Sequence, residues 1–254
     1  MRILAILKFR GYTPMRKLQT ILLAYLILLT ACSRTEASIP DQPSVNDPDI
    51  GIADQDNPNM SISDEEPFLP LEVKESGFVM HGDYLYCAVI LYNPNENYCV
   101  EFPTFRITAR DADGLLLGTD DQVLSIIYPQ QEFCHASLAF KVEEAPASVD
   151  IEIVPPEDYN IEDVSLTDHP DFKPLMAVNP VVREDKVLCE IENPNDFAIN
   201  STIATVIFRN ESGDITYGTS TFPDGIPASS SIPVSISVDE EFVTDTYAVY
   251  ANMW

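Results

Sequence analysis

The stretch Asn93-Pro94-Asn95-Glu96, NPNE, returns a hundred residues later as Asn193-Pro194-Asn195-Asp196, NPND. Its reading decides the architecture. Around it the chain aligns with itself. At the same offset of 100, Leu117-Gly118-Thr119 falls on Tyr217-Gly218-Thr219, and Asp111-Ala112-Asp113-Gly114 falls on Glu211-Ser212-Gly213-Asp214. Further on the offset slips to 98, so that Tyr128-Pro129 falls on Ile226-Pro227, and Val149, Ile151 and Ile153 fall on Tyr247, Val249 and Ala251. Matched features in one order mark a duplicated domain, and two copies make tandem domains, short of the run of repeats a solenoid needs. The expected boundaries are 71–156 and 175–254, with a linker at 157–174. The NPN turn itself needs no ligand: Pro fixes φ, and Asn tolerates the left-handed region and hydrogen-bonds its own backbone.

Each copy reads as all-β. Segments rich in Val, Ile, Thr, Tyr and Phe alternate with clusters of Pro, Gly, Asn and Asp, and neither copy holds a sustained helical period. Leu85, Cys87, Val89 and Leu91 share one strand face, matched by Val187, Cys189 and Ile191. Cys134, Ala136, Leu138 and Phe140 are expected to match Ile232, Val234, Ile236 and Val238. About seven short antiparallel strands per copy predict an immunoglobulin-like β-sandwich, with an open barrel as the alternative.

The layout resembles the FxLYD-type Ig-like domains of bacterial envelope lipoproteins. The features that carry this are the strand ending in Asn-Pro-Asn, the strand reaching an acidic Gly-containing turn (RDADG, RNESGD), and a Pro-containing turn before an alternating strand. The resemblance covers both copies and implies an envelope location and a non-catalytic role.

The front end reads as an address. Arg16 and Lys17 precede an apolar run, Ile21 to Leu29, too short for the roughly 20 residues that span a bilayer. Leu29-Thr30-Ala31-Cys32 then resembles the lipobox of bacterial lipoproteins, against an ordinary secretory signal or short anchor with an incidental Cys. The resemblance implies a signal peptide at 1–31, a lipid on Cys32, and placement on the outer side of the cytoplasmic membrane, or in the outer membrane of a Gram-negative cell. Two or more acyl chains anchor stably where one does not. Because residues 15–32 form a complete signal, Met15 is an expected alternative start to Met1. Positions 32–70 hold nine acidic residues and one basic one, Arg34, with few large apolar groups. Such a stretch reads as a disordered tether, with a span of about 35 Å as a flexible coil.

The chain carries a formal net charge of −27, with 14 Lys and Arg, and five of those lie in the first 17 positions. Nucleic acid is therefore not an expected partner, because phosphate neutralisation needs clustered cations. The expected partners are the membrane, through the lipid on Cys32, and a protein or cell-wall glycan. An accessory role in an envelope machine is the alternative. There is no Gly-x-Ser-x-Gly elbow and no phosphate-cradling Gly loop, so neither catalysis nor a cofactor is expected.

Four candidate features remain. Cys87, Cys99, Cys134 and Cys189 match the aliphatic Val187, Ile199, Ile232 and Val89, so each reads as a core residue, with a Cys99–Cys134 bridge left open. Asp111 and Asp113, with Asp120 and Asp121 nearby, form a weak calcium candidate whose loop spacing fits a β-turn better. His81, His135 and His169 are scattered without ligand spacing. Finally, Tyr84, Tyr86, Ile90 and Tyr92 form an apolar outward face where the second copy has Glu184, Lys186, Glu190 and Glu192. That face meets either an external partner or the rest of this chain.

Overall fold

The structure, a computed structural model, describes residues 67–254. The expected signal peptide, Cys32, nearly all of the acidic tether and the alternative start lie outside the described residues. The first copy contains β1 (Glu72–His81), β2 (Tyr84–Tyr92), β3 (Tyr98–Glu101), β4 (Thr104–Arg110), β5 (Leu116–Val123), β6 (Ile126–Ile127), β7 (Glu132–Lys141) and β8 (Ser148–Val154). The segment expected as a linker is structured: it carries β9 (Ile161–Asp163) between 3-10 turns at Asp158–Asn160 and Val164–Leu166. The second copy contains β10 (Met176–Arg183), β11 (Lys186–Asn193), β12 (Thr202–Arg209), β13 (Ile215–Thr221), β14 (Ser230–Ser237) and β15 (Thr246–Met253).

The fold is all-β, with two tandem immunoglobulin-like antiparallel sandwiches. In the first, sheet β1-β2-β7 faces sheet β5-β4-β8; in the second, β10-β11-β14 faces β13-β12-β15. A small sheet, β6-β3-β9, closes one side of the first sandwich, so the expected linker strand pairs with that sandwich. Leu85, Cys87, Val89 and Leu91 of β2 pack on Phe105, Ile107 and Ala109 of β4. Val187, Cys189 and Ile191 of β11 pack on Ala204, Val206 and Phe208 of β12.

The four large sheets form one stack. Ala88 and Ile90 of β2 and Cys134 and Ala136 of β7 point away from their own core and pack on Ile207, Ile215 and Tyr250 of the second copy. Strands buried on both faces need apolar residues at successive positions, whereas strands with one wet face alternate. β2 (YLYCAVILY) and β12 (TIATVIFR) are near-continuous apolar runs, and β4 (TFRITAR) and β11 (KVLCEIEN) alternate. The two inner sheets are therefore those of β2 and β12. Gly218 lies in this contact: a Cβ there would sit 2.9 Å from that of Ala88 and 3.0 Å from that of Ala136.

β7 is an edge strand, and side chains of the second copy satisfy its free backbone groups. Cys134 N–H donates to Asn252 Oδ1 (3.1 Å), and Asn252 Nδ2 donates to the Glu132 carbonyl (2.9 Å). Thr205 Oγ1 donates to the Cys134 carbonyl (3.1 Å), and Ala136 N–H donates to Ser220 Oγ (3.1 Å). Three side chains thus stand in for a missing fourth strand.

The register corrects the expected alignment. The NPN pair keeps its offset of 100, and so does β2 against β11. Between Asn95 and β4 the second copy loses one residue. Gly114 (φ 82) then corresponds to Gly213 (φ 91), and the bonds Gly114 N–H to Asp111 O and Gly213 N–H to Asn210 O superpose at an offset of 99. The turn 111–114 therefore matches 210–213. Val100 pairs with Ile127 as Ile199 pairs with Ile226, and Phe133 pairs with Leu91 as Ile232 pairs with Ile191. Cys99 and Cys134 consequently match Ala198 and Pro233, not Ile199 and Ile232. Both lie outside the sandwich cores, Cys134 between the copies and Cys99 with Ile126 and Tyr128. A β-bulge in β7, opposite Leu85 and Tyr86, changes its phase, so Phe140 packs in its own core although Cys134 and Ala136 do not. The four cysteines among the described residues, Cys87, Cys99, Cys134 and Cys189, are buried and free.

His135 takes the place of Val234 in the repeat. Its ring stacks on Trp254 (centroids 5.8 Å, 12°) and meets Phe105 edge-on (6.0 Å). Neither ring nitrogen has a hydrogen-bond partner, and burial pulls its pKa down from 6.5 to about 4. With the folded value below the unfolded one, its contribution to stability is full above pH 6.5 and is lost as the pH falls through 6.5 toward 4. Between pH 7.5 and 5 the loss is about 2 kcal/mol. Urea titrations of the wild type and His135→Phe should diverge by that amount over this window; parallel curves would disprove it.

Candidate functional site

The two NPN turns are built alike. Asn93 Nδ2 donates to the carbonyls of Tyr98 (2.8 Å) and Ile127 (3.0 Å), while its Oδ1 accepts from Asn95 N–H (3.1 Å) and Nδ2 (2.7 Å). Asn95 then grips the incoming chain: it donates to the Leu69 carbonyl (2.8 Å) and accepts from Leu69 N–H (2.7 Å). In the second copy Asn195 makes the same pair of bonds with Lys173 (2.9 and 2.7 Å). The side chain imitates a β-ladder partner. All four Asn are buried, so the turns are clasps at the entrance of each sandwich, closed to a ligand.

The expected Tyr face divides. Ile90, with Ala88 between the tyrosines, is buried against the second copy, so the middle of the face is covered by this chain itself. Tyr92 donates to Gln130 Oε1 (2.7 Å) and lies under Lys74. Tyr84 is 46% exposed at the strand's start. Tyr86 is half-buried at the rim of a cleft between the copies.

That cleft is the candidate site. Its volume is about 570 Å³, and His81, Tyr86, Asp185, Tyr217, Thr219, Asp239 and Glu240 are among its lining residues. His81 ends β1 before a two-residue turn whose Gly82 has φ 60, so the hairpin projects the imidazole toward the second copy. There Asp239 caps the 3-10 turn Glu240–Phe242 by accepting from Glu241 N–H. His81 Nδ1 lies 3.0 Å from Asp239 Oδ2, and Nε2 lies 3.5 Å from Glu241 Oε1. An aromatic floor supports them: Phe242 meets His81 edge-on (5.6 Å) and packs on Tyr217 (4.9 Å), which meets Tyr86 (6.4 Å). Burial raises the Tyr217 phenol above its ordinary range. The arrangement offers aromatic area beside carboxylates. Sequence spacing does not reveal it, because its polar groups come from turns 158 residues apart (81 to 239).

Three of the four expected acidic candidates, Asp111, Asp120 and Asp121, are engaged in local hydrogen bonds. Asp111 Oδ1 accepts from the N–H groups of Asp113 (2.9 Å) and Leu115 (2.8 Å). Asp121 forms a bidentate pair with Arg106 (2.7 and 2.8 Å), which holds its carboxyl below the usual range, and Asp120 accepts from Gln122. Cys99 donates to the Glu162 carbonyl (3.3 Å), and His135 stacks on Trp254. Burial pushes the Cys99 thiol up to about 11 and the Cys87 thiol up to about 12, which keeps both protonated near neutral pH. A second, smaller cleft, about 360 Å³, lies between β3, β6 and the segment Glu162–His169.

No protein-family model matches the sequence, and no curated protein matches it. Among solved structures the chain is similar to red sea bream transglutaminase at 9% identity over 74% of its length, with a TM-score of 0.23. It spans 31% of that enzyme's chain, and at this similarity nothing of the enzyme's activity transfers.

Proposed function

We propose that this chain is a lipid-anchored extracytoplasmic protein, a non-catalytic binding or scaffold module held outside the membrane on an acidic tether. The observation that carries the reading is the Leu29-Thr30-Ala31-Cys32 box behind a basic, short apolar run. The first strand begins 40 residues beyond Cys32 (72 minus 32), enough chain to hold the sandwiches clear of lipid headgroups. The aromatic and acidic cleft supports a role in binding, since area and polar groups converge there. The expected partner is a protein or cell-wall glycan.

Cells fed an alkyne-bearing fatty acid should yield labelled, membrane-associated wild-type protein, whereas Cys32→Ser should be unlabelled and released. Label retained by Cys32→Ser would sink the anchor. Crosslinked pull-down from intact cells should return a recurrent partner with the wild type and lose it with Cys32→Ser; no recurrent partner would sink the binding role.

A further inference from the structure

We infer that His81, Asp239 and Glu241 form a divalent transition-metal site that clips the two sandwiches together, with Zn²⁺ as the best-fitting ion. One donor atom from each residue lies within 4.8 Å of the other two. Bonds of about 2.0–2.2 Å to a tetrahedral Zn²⁺ set its donor atoms about 3.4 Å apart. An imidazole gives an ion one nitrogen: His81 Nδ1 lies 3.0 Å from Asp239 Oδ2, close to that spacing, whereas the 3.5 Å contact of Glu241 Oε1 is with Nε2, so the Glu241 side chain must turn to reach an ion held by the other nitrogen. Rotation of the partly exposed side chains closes the remainder.

The chemistry of the set selects the ion. Imidazole with two carboxylates suits Zn²⁺ and its neighbours, while Ca²⁺ and Mg²⁺ prefer all-oxygen shells. The positions are partly fixed before binding. The Gly82 turn directs His81, Phe242 supports its ring, and the capping bond from Glu241 N–H holds the Asp239 carboxylate. Asp185 and Glu240 line the same cleft, so an ion relieves the repulsion of four carboxylates. Three protein ligands leave one position open toward the cleft, for water or a donor atom of a bound ligand. His81 belongs to the first sandwich and both carboxylates to the second, so binding stabilises the joined state over any separated one. This inference is independent of the lipid anchor and of any macromolecular partner.

The test is isothermal titration of Zn²⁺ into the purified, tag-free full-length protein, with Ca²⁺ and Mg²⁺ in parallel, together with melting curves. One Zn²⁺ per chain should bind and raise the melting temperature, with no response to Ca²⁺ or Mg²⁺ at this site. His81→Ala and Glu241→Gln should each weaken Zn²⁺ binding about tenfold or more. Both positions are exposed, and an unchanged metal-free circular dichroism spectrum shows that each variant folds. Wild-type protein that binds no Zn²⁺, or variants that bind it as tightly as the wild type, would overturn the site.

Discussion

Asn193→Ala is expected to cost about 4 kcal/mol of unfolding free energy, a large effect for a turn residue. The side chain is 2% exposed and serves five partners. Nδ2 donates to the carbonyls of Phe197 (2.8 Å), Ile226 (3.3 Å) and Pro227 (3.1 Å), and Oδ1 accepts from Asn195 N–H (3.0 Å) and Nδ2 (2.9 Å). Truncation strips all five, and each buried group left unpaired costs about 1–3 kcal/mol, less what entering water restores. It also releases Asn195, which holds the chain at Lys173. Asn193→Asp should be worse, since it turns a carboxylate on three carbonyls. Asn93→Ala should cost a similar amount. Urea denaturation measures each; a change below about 1 kcal/mol for Asn193→Ala would refute the clasp.

Gly77→Val is expected to separate the two sandwiches energetically, with a loss above about 3 kcal/mol. A Cβ at Gly77 would sit 2.2 Å from the Ile215 carbonyl oxygen and 2.7 Å from the Ile215 Cβ, so backbone meets backbone where β1 crosses β13. No rotamer escapes that clash, and even Ala must push the sheets apart. The apolar layer of Ile90, Cys134 and Ile207 then opens to water. Trp254, the single Trp, reports on this directly. It follows the last strand of the second copy yet packs on Phe133 and His135 of the first. Wild-type protein should unfold in one transition by both Trp fluorescence and far-UV circular dichroism. In Gly77→Val the fluorescence change should come first. Coincident, unshifted transitions would show that the close approach carries no weight.

Much of this fold is legible in the sequence because turn chemistry and strand period are local. Asn-Pro-Asn marks both copies at an offset of 100, and the alternation of β11 predicts its buried face. Letter matching fails by one residue after that. Gly118 matches Gly218 by identity, yet Gly118 pairs with Ala109 and Tyr217 pairs with Phe208, so the fold aligns Gly118 with Tyr217. A single deletion inverts which face a strand residue occupies. That is why Cys99 and Cys134 read as core positions while lying outside both cores. The covered face had a second signal, the continuous apolar run of β12, which only acquires meaning beside that of β2. His81 with Asp239 and Glu241 had none, because exposed polar residues in remote turns meet through docking alone.

The stack joins unlike faces: the outer side of β1-β2-β7 in the first copy meets the outer side of β13-β12-β15 in the second. Such a head-to-tail contact does not close on itself. Repeated between molecules, it would add chain after chain into a filament. The two terminal faces are the structural counterparts of the two that meet. Both carry charged or polar groups at positions where the inner faces are apolar. One carries Arg106, Asp121, Asp150 and Glu152, and the other carries Lys186, Glu190 and Ser residues of β14 around an exposed Leu188. Exchanging these charges for the Ala and Ile of the inner faces is expected to favour stacking of one chain on the next.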